Sequence, residues 1–207
     1  MRTSIACRRG VHIAHQIAML NGVGRPQRMA RFGRACAGAL MLMTLATSAA
    51  AQDSAEPPHV RGDDTMRRFI DDAARRSPAI REWIDRLQGL DVTVYVRAKA
   101  FARLDMEGRV ALLSTAGSHR YLVIELACGR TDVTMVATLG HELFHAIEIA
   151  EEPSVVNAET LAAFYTRIGV KTGDTGGLRT FETEAAAAAG LRARRQLLTS
   201  TRNGNGT

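Results

Sequence analysis

Residues 131–153 read TDVTMVATLGHELFHAIEIAEEP. Thr131 and Asp132 suit a helix N-cap, and Pro153 cannot continue a helix. Between them Val133, Val136, Ala137 and Leu139 form an apolar run, so one helix is predicted to about Glu151. Within it residues 141–145 are His-Glu-Leu-Phe-His. Residues four apart stand about one turn apart on the same helix face. That spacing lets the imidazoles of His141 and His145 reach one tetrahedral zinc ion. Glu142 then stands beside the open coordination position. A carboxylate there can take a proton from water and pass it to a leaving amine. Leu143 and Phe144 are free to turn into a core.

Upstream the hydrophobic period is that of strands. Val92, Val94 and Val96 alternate with Thr93 and Tyr95, and further strands are predicted at 109–114 and 120–127 (RYLVIELA), with Gly117-Ser118 as a hairpin turn. Before them, residues 63–76 and 78–88 carry apolar residues at helical spacing: Met66, Phe69, Ile70 and Ala73, then Ile80, Trp83, Ile84 and Leu87. Pro78 suits a first turn and Gly89 a helix end. Downstream a helix is predicted over 158–168, then a Gly-rich loop at 170–177 (VKTGDTGG), then a last helix from about Arg179 to Leu198. The expected fold class is α+β, a small sheet packed on the motif helix with flanking helices.

A strand-rich segment, a HELFH helix and a later helix bearing a glutamate resemble the zincin (HExxH) zinc metallopeptidases, and within them the gluzincin branch. The metzincin branch is less similar, because it would need a glycine and a further histidine where this chain has Glu148 and Glu151. The resemblance covers about the C-terminal half of the chain. It implies a zinc cofactor, a peptide or protein substrate and a third zinc ligand from a glutamate downstream of the motif.

The remaining histidines of the mature part, His59 in a Pro-containing linker and His119 at a hairpin, read as surface residues. A carboxylate is therefore the better third ligand. Glu182 is the preferred candidate. On a helix it would share a face with Ala185, Ala186, Ala189 and Ala193, and such a face lets a neighbouring helix approach closely. The alternative for Glu182 is an acidic residue favoured by the helix dipole. Glu184 and Glu159 are the competing ligands. Glu148 lies on the histidine face but past the metal, as a partner to a ligand histidine or as a solvated charge. Tyr165 is either an oxyanion donor or a core residue with its hydroxyl at the surface. Cys128 reads as a small buried residue.

Charge narrows the partners. The chain of 207 residues has a formal charge of +6, yet residues 1–51 carry seven arginines and no acidic residue, while 52–207 carry 20 basic and 21 acidic residues. No basic stripe argues for nucleic acid. The N-terminal charge belongs to a secretory pattern. Arg31 and Arg34 precede the apolar run 35–45 (ACAGALMLMTL), and Ala49-Ala50-Ala51 suit cleavage before Gln52. Met29 begins a signal of ordinary length and is a candidate start. The apolar run is short of the roughly 20 residues a span needs, so no stable membrane span is expected after cleavage. The expected organisation is a presequence at 1–51, a linker at 52–62, a zincin-like domain at 63–199 and a polar tail at 200–207. The expectation is an extracytoplasmic zinc-dependent hydrolase, with a non-catalytic zinc-binding or interaction domain as the alternative.

Overall fold

A computed structural model of the chain describes residues 14–15, 18–19, 57–102, 105–175 and 178–204. In chain order the elements are β1 (Ala14–His15), β2 (Ala18–Met19), β3 (Val60–Gly62), α1 (Asp64–Arg76), α2 (Pro78–Gln88), β4 (Val92–Lys99), β5 (Met106–Ala116), β6 (His119–Ala127), α3 (Asp132–Glu151), α4 (Ala158–Ile168), β7 (Val170–Thr175), β8 (Leu178–Glu182) and α5 (Glu184–Gly204). Apart from β1 and β2, residues 1–51, read above as a presequence, lie outside the described residues.

Capping side chains set the helix starts. The Asp63 carboxylate accepts from the N–H groups of Thr65 and Met66 at 3.0 and 2.9 Å. Ser77 caps α2, with Pro78 in its first turn. Thr131 caps α3 through the Thr134 N–H. Asn157 and Thr160 form a reciprocal capping box on α4. Each satisfies main-chain donors that a helix start leaves without intrahelical partners.

The four long-range strands form a mixed sheet in the order β5-β6-β4-β3. Strands β3, β4 and β6 run parallel, and β5 pairs antiparallel with β6 through the turn at Gly117-Ser118. The two-residue strands β1 and β2 pair parallel with β5. Strand alternation places Val94, Val96, Val110, Leu122, Ile124 and Leu126 in one buried core with Ile80, Trp83 and Leu87 of α2 and Val136, Leu139, Leu143 and Ile147 of α3. This is an α+β arrangement. Among the described residues no helix is long and apolar enough to cross a membrane.

Two buried charges anchor the sheet. Glu125 is fully buried on β6 and is neutralised by Arg97, Lys99 and Arg109. Burial works to raise its pKa, but hydrogen bonds from Lys99, Arg97 and Arg109 outweigh that and hold it below the usual carboxylate value. Arg120, also on β6, donates to the carbonyls of Ala150, Glu152 and Val155 at 3.1, 3.0 and 2.9 Å. A guanidinium at the C-terminal end of α3 also complements the helix dipole. Arg120→Met leaves buried carbonyls without donors, each costing about 1–3 kcal/mol. The expected loss is about 3 kcal/mol in urea unfolding at neutral pH, and a loss under about 1 kcal/mol would show that water replaces the guanidinium.

Close approach positions α3. A Cβ on Gly140 would lie 2.8 Å from Ala193 Cβ and 3.0 Å from the Trp83 ring. One on Gly190 would lie 3.2 Å from His141 Cβ. Contact between α3 and α5 therefore runs through Gly140, Gly190, Ala186, Ala189 and Ala193, all buried.

Several expectations are corrected. The linker 52–62 ends in a strand, because Val60–Gly62 pairs in parallel with Val94–Val96. The loop at 170–177 and the helix start near Arg179 are replaced by the antiparallel pair β7–β8, with Lys171 opposite Phe181 and Val170 opposite Glu182. Three- to six-residue strands carry too little alternation to announce themselves, and their partners supply most of their stability. The polar tail is helical to Gly204. His59 is not a surface residue: its ring is buried, with Nδ1 3.0 Å from the Leu87 carbonyl. Cys128, by contrast, is exposed.

Candidate metal centre

The motif helix brings His141 and His145 together at the middle of α3, where both are buried. Their Nε2 atoms lie 3.1 Å apart. Glu182 reaches them from the end of β8. Its Oε1 is 3.2 Å from His141 Nε2 and 3.6 Å from His145 Nε2. One donor atom from each of His141, His145 and Glu182 falls within 4.8 Å of the others, and the group can hold a metal ion. Glu182 thus joins the histidines, but from a strand rather than from a helix. The Ala face that suggested it belongs to α5 and starts at Ala186.

Glu184 and Glu159, the competing ligands, are exposed in the first turns of α5 and α4 and lie outside the group. His119 also lies outside it, with Nε2 2.9 Å from Thr93 Oγ1. Glu142 is fully buried. A Cβ on Gly108 of β5 would stand 3.0 Å from its Oε1 and 2.4 Å from Thr138 Cγ2, so only glycine lets β5 pass this close to the motif.

A ring of hydrogen bonds backs the histidines. His145 Nδ1 lies 2.8 Å from Glu148 Oε2, so a proton on Nδ1 leaves the Nε2 lone pair aimed at His141 and Glu182. This is the carboxylate–histidine pairing that orients metal ligands in general, and it sets aside the reading of Glu148 as a solvated charge. The single Tyr165 hydroxyl proton has two acceptors in reach, Glu148 Oε2 at 3.2 Å and the His145 carbonyl at 3.3 Å. Tyr165 is wholly buried, as its core reading expects, but its hydroxyl is buried with it, beside Glu148 and the His145 carbonyl, and not at the surface. Burial, and then the charge of Glu148, raise its pKa well above the phenolic value and keep it a donor.

Burial pushes the His145 pKa down, but hydrogen bonds to Glu148 and Glu182 and the charge of Glu142 overcome this and raise it to about 9. Burial pushes Glu182 up, but hydrogen bonds from His141 and His145 bring it down to about 2. Carboxylates crowd two imidazoles, and in the metal-free protein a proton on His145 balances them.

Two opposite pH dependences follow. That proton stabilises the metal-free fold fully below about pH 6.5 and its contribution is lost as pH rises through 9. The Glu182 contribution is present above about 4.5 and lost as pH falls through 2. A metal ion must displace the His145 proton, so apparent affinity rises about tenfold per pH unit up to about pH 9. Chelator competition between pH 6.5 and 9, with parallel melts of the metal-free protein, measures the rise in affinity and the fall in stability set by the His145 proton. Slopes of the same sign would show that the proton sits elsewhere.

No family model matches the chain, and no curated protein or solved structure matches it.

Proposed function

We propose that the protein is an exported zinc-dependent peptidase of zincin-like, gluzincin type. The observation that carries this reading is the convergence of His141, His145 and Glu182, two imidazoles of a His-Glu-Leu-Phe-His helix and one carboxylate from a separate element. Two nitrogens and one oxygen are a donor set of catalytic zinc sites, which keep one position open. A bound zinc ion supplies Lewis acidity toward a carbonyl and acidifies water. The chain's own groups do the rest. Glu142 accepts the proton of the attacking water and returns it to the departing amine. Glu148 and Tyr165 hold the His145 ring. A peptide in extended form adds as a strand to the sheet edge. The patterned segment 29–51 supports export.

The test is hydrolysis of a mixed peptide library by the purified full chain before and after chelation. Activity is expected to vanish with chelator and return with zinc alone. Zinc-bound protein that cleaves no peptide would leave the non-catalytic zinc-binding reading in its place.

A further inference from the structure

We propose that Thr183 is the positioning residue that holds His145 and Glu182 in register for a shared metal ion, an inference that rests on the zinc reading above. Thr183 sits at the junction of β8 and α5 and is buried. Its hydroxyl has one proton, and that proton goes to Glu148 Oε1 at 2.7 Å. The hydroxyl oxygen accepts the Ala186 N–H at 3.1 Å, which caps α5. Its own main-chain N–H donates to Glu182 Oε1 at 2.9 Å, the same oxygen that faces the two histidines.

These links close a ring. His145 leans on Glu148, Glu148 on the Thr183 hydroxyl, and the Thr183 N–H on Glu182. Two ligands from distant parts of the chain therefore take their positions from one residue. A β-branched side chain suits the task, because its χ1 has few alternatives. The competing account is that Thr183 only caps a helix. Capping explains the bond to Ala186 but not the short bond to Glu148.

The experiment is zinc affinity by chelator competition on the full chain, with melting of the metal-free protein alongside. The series is wild type, His145→Ala, Thr183→Ala, Thr183→Gly, Thr183→Ser, Glu148→Ala and the double variant Thr183→Ala/Glu148→Ala. Thr183→Ala and Thr183→Gly are expected to weaken zinc about 10- to 100-fold, the usual cost of losing an outer-shell partner. Thr183→Ser is expected to restore affinity. The double variant is expected to bind no worse than Glu148→Ala, since the two side chains act in series. Glycine is accepted at helix N-caps, so Thr183→Gly keeps the test open if the alanine variant unfolds. Wild-type affinity in Thr183→Gly, or losses that add in the double variant, would overturn the proposal. If wild type and His145→Ala both fail to bind zinc, the zinc reading falls and takes this inference with it. If His145→Ala loses zinc while the Thr183 series stays flat, this inference falls alone.

Discussion

Glu182→Ala is expected to weaken zinc binding by at least about 100-fold, as are His141→Ala and His145→Ala. A zinc site of four ligands carries on the order of 10–16 kcal/mol, or roughly 2.5–4 kcal/mol per ligand, and about 1.4 kcal/mol is tenfold. Glu148 is held by His145, Tyr165 and Thr183, so it takes the place of Glu182 only by breaking those bonds. Glu184→Ala and Glu159→Ala remove exposed charges at helix starts and should cost only about 0.5 kcal/mol of stability. Chelator competition on the five variants, each checked by circular dichroism, separates ligands from bystanders. Zinc lost in Glu184→Ala or Glu159→Ala but kept in Glu182→Ala would reassign the third ligand.

Glu142→Gln is expected to keep zinc and lose hydrolysis by about 10²- to 10⁴-fold. The substitution preserves shape in a fully buried position and removes only the capacity to hold a proton. The loss should fall equally on kcat and kcat/KM, because proton transfer belongs to the transition state. Unchanged turnover would move the base elsewhere. Loss of zinc along with turnover would mean that the carboxylate serves to build the site. Gly108 sharpens the comparison, since β5 packs against Glu142 and leaves a displaced side chain little room.

The elements with strong periodicity were legible. Helices α1 through α4 and strands β4, β5 and β6 fall within a few residues of where their patterns place them, because amphipathic faces and caps are written locally. Strands β3, β7 and β8 were not, since short strands exist by virtue of what they pair with. Local spacing puts Glu182 at the head of a helical Ala stripe, yet Thr183 caps α5 after it and a strand delivers it. The signal was present, because a threonine before Glu184-Ala185-Ala186 is an N-cap pattern. The roles of Thr183 and Tyr165 stayed hidden. Both depend on which elements meet behind His145, and no local spacing records that.

The alanine run of α5 looks interchangeable from composition alone, and the packing makes it anything but uniform. Ala186, Ala189, Gly190 and Ala193 are buried where α3 presses closest, whereas Ala185 and Ala188 face solvent. Saturation mutagenesis should therefore trace a helical rhythm through a homopolymer. Ala185 and Ala188 accept almost any good helix former. At Ala186, Ala189, Gly190 and Ala193 each added methyl group moves α5 off the histidine helix and is rejected. A stretch that composition marks as low complexity is thus the spacer that sets how closely α5 lies against the histidine helix.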